Sequence, residues 1–517
     1  MVRFLGPLFL WPASASALSV AFIAPPASHY VPMLPIAHQL LEDGHKVTFV
    51  GLPETMKKIG KLVPKAQTRK LDAEEPSKGA LKFVQKMPYS LAQFFTNFAI
   101  PMMGNLVATF MLFPAKKELE ELKPDVLCLS FAYPPFYALA EVLNIPVVGI
   151  GWASPGFLTL QNDMPWSLEP NFGSILSRKD IHENLSHMLL NLGVRLFGFF
   201  TMRLGSLVLT YLRFQLGHPR PLELWEFDCV LQNPVVAMTL PELTAGSPNL
   251  LGPYTFMVGI LDHPGLGGNS IAKSDDASRI MTWLDDRAAA KEKVLYAAFG
   301  SEIMIDEPVM RFLVGAFKDA PFRVLWSTKV EPTIPVPDSV LVTKFAPQRA
   351  VLSHSAVFGF LSHGGTNSVN EALMLGKPLV VVPFFADQMA NAVQQQELGV
   401  ALLVRKDAES AALASALRRV AEEPSFAKRS AQVKELNDQR KDMSRAVQVI
   451  VNQGSGAFRM NIPPPPSVWV RGLPMLLSVG FFSLLCNACC CLRIRLQQPC
   501  SCCCRSSRAP AGKAKEE

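Results

Sequence analysis

The chain of 517 residues has room for two to four domains at about 100–200 residues each. Apolar residues make up 49% and charged residues 18%, which excludes a disordered chain and leaves material for large cores. The formal charge is +7, but residues 493–517 hold four of those charges, so the body is nearly neutral and lacks a nucleic-acid footprint.

The N-terminus, MVRFLGPLFLWPASASAL, places Arg3 before a short apolar run and two Ala-Ser-Ala patterns. That arrangement predicts a signal peptide over 1–17, against the alternative of an extended first strand. Leu18–Ala24 follows as a buried strand, Pro25–Pro32 as a loop, Met33–Glu42 as an amphipathic helix and Lys46–Val50 as a second strand. Val126–Ser130, Pro135–Leu143 and Pro146–Ile150 repeat the strand, helix and strand order. Such alternation predicts a parallel sheet covered on both faces.

Residues 188–214 break the pattern with a long apolar stretch. In a helix, Arg195, Arg203 and Arg213 fall within about 80° of one another. Two readings stand: a helix lying in a membrane interface with a basic stripe, or a helix pair lining the core or the substrate cleft. Asn184-Leu185-Ser186 is the sole glycosylation sequon and is usable if this half is lumenal.

Residues 262–276 are rich in Gly, Asp and Ser and read as a linker; their Gly265-x-Gly267-Gly268 is too weak for a phosphate loop. Alternation then resumes with strand Val294–Phe299, helix Glu307–Asp319, strands Phe322–Trp326, Val340–Thr343 and Val357–Leu361, helix Thr366–Leu375 and strand Leu379–Pro383. Two doubly wound halves with a cleft between them are expected, and ligands of such sheets bind beyond the carboxyl ends of the strands.

Beyond Pro463–Pro466, Gly472–Leu492 is 21 residues without a charge, about the length needed to span a bilayer. Arg493 and Arg495 follow at once, which predicts a cytoplasmic tail and a lumenal body, most simply in the endoplasmic reticulum. Eight of the ten cysteines lie in the last 32 residues, beside the expected membrane boundary, where palmitoylation occurs; zinc is the alternative, without any histidine to accompany it. Cys128 and Cys229 alone in the body leave no disulfide framework.

The chemistry concentrates in residues 345–391. A strand ends in Ser362-His363-Gly364-Gly365 and a helix begins near Thr366. Two glycines let a ligand approach the backbone, and a helix N-terminus offers free N–H groups and partial positive charge to a phosphate. His363 adds a donor, Asp387-Gln388 offers groups for sugar hydroxyls, and Phe345 offers a face for a base. Each has a structural alternative: Ser368-x-x-Glu371 is a capping box, Phe345 a core residue, Asp387-Gln388 a turn.

Taken together, this segment resembles the signature of the UDP-glycosyltransferase family. It matches at Pro347, Gln348, His354, Ala356, His363, Gly364, Gly365, Asn367, Ser368, Glu371, Gly376, Pro378, Asp387 and Gln388, and the likeness extends to Trp283-Leu284-Asp285 and Phe299-Gly300-Ser301. The resemblance implies an α/β GT-B fold: two Rossmann-like domains, 18–245 for the acceptor and 246–455 for UDP-sugar. A Pro-rich linker (456–471), a transmembrane helix (472–492) and the cytoplasmic tail (493–517) follow.

It further implies that Phe345, standing where the family has Trp, stacks on uracil. Gln348 sits near the base, Glu371 holds the ribose, and Ser301, His363, Gly365, Asn367 and Ser368 hold the diphosphate. Asp387 and Gln388 hold the sugar, and the Gln is more usual with glucose or glucuronic acid than with galactose. UDP-sugar is then a co-substrate; no other cofactor and no metal is implied, because the helix N-terminus and neutral donors take up the leaving charge.

His29 matches the family's catalytic histidine, the general base for a lipophilic acceptor's hydroxyl. The position of its usual Asp partner is occupied by Ser130, while Asp125 reads as a strand-start residue. Three readings follow: an acidic acceptor hydroxyl, a substitute residue, or a catalytically silent UDP-sugar-binding membrane protein. The implied partners are the donor, the acceptor and a membrane; an oligomer is compatible with the sequence.

Overall fold

The computed structural model describes residues 16–26, 28–73, 85–152, 170–171, 173–219, 230, 232–244, 254–263, 275–300 and 303–457. Residues 1–15 of the expected signal (1–17), Gly265–Gly268, Ser301, the span 472–492 and the Cys-rich tail lie outside these residues. Among the described residues no helix is long and apolar enough to cross a membrane.

The first sheet has seven parallel strands in the order β3-β2-β1-β4-β5-β6-β7. They are β1 (Ser19–Ala24), β2 (Lys46–Gly51), β3 (Gln67–Lys70), β4 (Val126–Ser130), β5 (Val147–Gly151), β6 (Val235–Ala237) and β7 (Thr255–Met257). The expected division at 245/246 falls before β7, which pairs with β6 in this sheet. Helices α1 (Met33–Glu42), α2 (Pro53–Leu62), α3 (Tyr89–Leu122), α4 (Pro134–Val142), α5 (Arg178–Glu183) and α6 (Leu185–Gln215) cover it. β1, β4 and β5 are continuous apolar runs because both sheet faces are buried, as parallel sheets require. Asp125 is a strand tie: its Oδ2 accepts from the Ser19 amide at 2.7 Å.

The second sheet has six parallel strands ordered β10-β9-β8-β11-β12-β13. These are β8 (Val294–Ala298), β9 (Arg323–Ser327), β10 (Val340–Thr343), β11 (Val357–Ser362), β12 (Leu379–Val381) and β13 (Ala401–Leu403). Its helices are α7 (Asp275–Ala289), α8 (Glu307–Phe317), α9 (Gln348–Ser353), α10 (Thr366–Met374), α11 (Asp387–Glu397), α12 (Ser410–Glu422) and α13 (Pro424–Arg440). The chain then returns: α14 (Met443–Gly454) buries Ala446, Val449 and Ile450 in the core of the first sheet, beside Val20 and Val126.

The stretch 188–214 is part of a single helix, and the basic stripe does not face outward. Arg195 is 2% exposed and Arg213 6%, the latter paired with Glu141 at 3.2 Å, while Leu207, Tyr211 and Phe214 point to solvent. An arginine inside a helical protein is tolerated when its charge is matched, as Glu141 does here. This corrects the membrane-interface reading of an outward basic face; the side chain of Arg203 lies outside the described residues. In the sequon, Asn184 is the N-cap of α6, its Oδ1 accepting from the Ser186 amide at 3.0 Å.

Candidate active site

β11 delivers the chain to His363-Gly364-Gly365, and α10 starts at Thr366. Gly364 sits at φ +84°, and a Cβ there would lie 2.6 Å from Val381 Cγ1. A Cβ on Gly365 would lie 2.4 Å from His363 Nε2. Glycine is therefore required for the turn at the first position and for the histidine's seat at the second. Burial lowers the pKa of His363 to about 4, so the ring is neutral at physiological pH, and its Nδ1 has no hydrogen-bond partner among the described residues.

The capping box that was the structural alternative for Ser368 and Glu371 is absent. The N-cap is Gly365, with no side-chain cap, and Ser368 stands at the third helical position. Ser368 and Glu371 instead receive the Gln348 amide: Nε2 donates to Glu371 Oε2 at 2.7 Å and to Ser368 Oγ at 3.3 Å. Burial pushes the Glu371 carboxyl up, and the bond from Gln348 opposes that. The absence of a side-chain cap leaves the helix start with backbone donors and a partial positive charge.

One of those donors meets a carboxylate from the next helix. Asp387 Oδ2 accepts from the Thr366 hydroxyl at 2.5 Å, the Thr366 amide at 3.3 Å and Asn391 Nδ2 at 3.1 Å. Gln388 is 5% exposed and closes the preceding turn, its Oε1 accepting from the amides of Phe384 (2.9 Å) and Phe385 (3.3 Å). Phe345 is 48% exposed, so it is an open aromatic face and not the core residue the alternative required.

From the first sheet, His29 lies in the turn after β1, with its ring edge-on to Tyr133 at 5.5 Å. It keeps an accessible face, yet the surrounding protein lowers its pKa, and the negative charge of Asp387 opposes that shift. Ser130 is 4% exposed and its Oγ accepts from the Ala132 amide at 3.4 Å, so it caps a turn.

The structure brings Gln348, Ser368, Glu371, His363, Gly365, Asn367, Asp387 and Gln388 into one continuous contact set around α10. His354 stands apart as a strut, Nε2 meeting Asp285 Oδ1 at 3.1 Å, which joins two of the sequence motifs. Sequence reasoning missed Thr366 and Asn391, which anchor Asp387, and Trp152, whose Nε1 donates to Asn367 Oδ1 at 2.5 Å. Trp152 follows β5 directly, and a strand's carboxyl end facing the cleft was the available signal.

Comparison with known proteins gives the same picture. Residues 249–450 match the family model described as UDP-glucoronosyl and UDP-glucosyl transferase. The chain is 24% identical to UDP-glycosyltransferase 71K2 of Pyrus communis over 421 residues, 74% of this chain and 84% of that one. It is 35% identical to flavonol 3-O-glucosyltransferase UGT71C4 of Arabidopsis thaliana over 147 residues, 26% of this chain and 30% of that one. The first relative found, UDP-glycosyltransferase 74C1 of the same plant, is matched over 32% of its length. In fold, the glycosyltransferase of kitacinnamycin superposes with a TM-score of 0.61 at 20% identity, over 85% of this chain and all of that one. With two parallel-sheet halves arranged as in GT-B enzymes and the motif residues gathered at one helix start, the chain is similar to UDP-glycosyltransferases in the sequence of its second half and in the fold of both halves.

Proposed function

We propose that the protein transfers a hexose, glucose foremost, from a UDP-sugar to a hydroxyl of a lipophilic small molecule, inverting the anomeric carbon. The observation that carries this reading is Asp387 bonded to Thr366 at the uncapped start of α10, on a helix whose first turn also holds Asn367 and Ser368. That arrangement suits a donor whose diphosphate lies on the helix start and whose sugar reaches Asp387, leaving the anomeric carbon toward His29.

In this mechanism the imidazole of His29 takes the acceptor's hydroxyl proton as the oxygen attacks the anomeric carbon. The bond from that carbon to the phosphate oxygen breaks, and UDP leaves with the electron pair. The α10 amides, the neutral His363 ring and Asn367 lie where that charge develops. Phe345 stacks on the base, and Gln348 and Glu371 serve the uridine.

Ser130 narrows the acceptor. A base without a partner carboxylate and with a lowered pKa is weak, so it serves hydroxyls that ionise readily, such as phenols or carboxylic acids. The flavonol in the name of one relative is a phenol. The same residue favours the second reading, a silent UDP-sugar-binding protein. Full-length protein given UDP-glucose and a panel of phenols, carboxylic acids and alcohols separates them. Product and UDP release above a His29→Ala control support the enzyme; donor binding without turnover on any acceptor supports the silent protein. The reading also carries a signal peptide and a single anchor at 472–492 with a lumenal body, which protease protection in sealed microsomes tests.

A further inference from the structure

Helix α3 begins at Tyr89, and that residue serves the opposite half of the molecule. Its hydroxyl donates to the Pro383 carbonyl at 2.5 Å and accepts from the Lys406 amide at 3.0 Å. The ring packs on Met389, and the cations of Arg405 and Lys406 lie 5.3 and 5.4 Å from its centroid. Just upstream, Gln85 Oε1 accepts from the Met304 amide at 2.9 Å, and the Gln85 carbonyl accepts from Lys406 Nζ. A short segment of the acceptor half is therefore tied into three loops of the donor half.

One of those loops is the turn that carries Asp387 and Gln388. Ala386 in it sits at φ 59°, ψ −140°, a conformation that L side chains avoid. Such a turn keeps its shape while its surroundings over-determine it. Gln388 Oε1 holds the turn from within, through the Phe384 and Phe385 amides. Tyr89 holds it from outside, and its hydroxyl is 2.5–3.0 Å from both of its partners while the residue is 4% exposed. Removing the hydroxyl leaves the Pro383 carbonyl and the Lys406 amide without that bond.

The geometry points to Tyr89 as a positioning residue through which the acceptor half sets the conformation of the sugar-binding turn. Donor-sugar recognition then depends on contact between the halves, whereas nucleotide recognition at Phe345, Gln348 and Glu371 does not. This inference rests on the UDP-sugar reading above.

Calorimetry of UDP and of UDP-glucose binding to the full chain, wild type and Tyr89→Phe, tests it, with hydrogen exchange across 383–388. The expected result is UDP affinity unchanged, UDP-glucose affinity lowered about tenfold, and faster exchange at the Phe384 and Phe385 amides. An equal loss for both ligands, no loss for either, or unchanged exchange overturns the inference. A wild-type chain that binds neither ligand overturns the donor reading and this inference with it. Should Tyr89→Phe fail to fold, exchange in the wild type decides: Phe384 and Phe385 opening together with residues 85–93 supports the coupling, and independent opening ends it.

Discussion

Trp152 Nε1 donates to Asn367 Oδ1 at 2.5 Å, joining the end of β5 to the first turn of α10 across 215 residues of sequence. The bond fixes the side chain of Asn367 beside the proposed diphosphate site. Trp152→Phe keeps an aromatic ring and removes the donor. Its expected cost is about 1 kcal/mol of stability, with UDP binding about tenfold weaker, read by thermal melting and calorimetry. Unchanged UDP affinity would show that Asn367 does not need its tryptophan.

His29 is lowered from its ordinary value of 6.5 by desolvation, so the free base is the main form at neutral pH. Initial rates should be flat above pH 7 and fall on the acid side with a midpoint below 6.5. His29→Gln should lower kcat about 10²- to 10⁴-fold and leave UDP binding unchanged. A rate that keeps rising above pH 8 would assign the limb to another group.

Ser130→Asp restores a carboxylate at the position where the family places one. The expected outcome is a larger gain in kcat/KM for alkyl alcohols than for phenols, since the weaker acids need the stronger base. Burial of the new charge should lower the melting temperature. A uniform change across acceptors would remove the argument from Ser130 to acceptor acidity.

His363 is neutral in the folded protein, with a pKa of about 4 against an ordinary 6.5. The unfolded chain binds more protons between those values. Stability should therefore be complete above pH 6.5 and fall as the pH drops toward 4, by up to about 3 kcal/mol from this residue. His363→Gln should flatten that part of a plot of melting temperature against pH.

Gly364→Ala meets both a positive φ and a 2.6 Å approach to Val381 Cγ1. We expect a loss of about 1–3 kcal/mol and loss of UDP binding, measured by denaturant unfolding and calorimetry. Wild-type affinity in a folded Gly364→Ala protein would move the phosphate away from this turn.

Much of both halves was legible because the signals are local. Met33–Glu42, Val126–Ser130 and Val340–Thr343 carry the same bounds in sequence and structure, since apolar periodicity and turn residues define them. The segment 357–374 announces strand, glycine turn and helix in order. Harder to read were α3, whose Pro101 and Pro114 argue against one long helix, and the short strands β6 and β7, which offer only three residues each. The capping-box alternative at Ser368 fails because the helix starts three residues earlier, after Gly365, although the Ser-x-x-Glu spacing fits an N-cap.

The sequence by itself determined the alternation of strands and helices, the family-like motif and the residue types at the candidate site, all consequences of neighbours along the chain. Tertiary structure decided that Arg195 and Arg213 turn inward, that α14 returns to the first sheet, and that Trp152 and Tyr89 reach Asn367 and Pro383. Contacts spanning hundreds of residues depend on how two packed sheets meet, and no local propensity or periodicity encodes that distance.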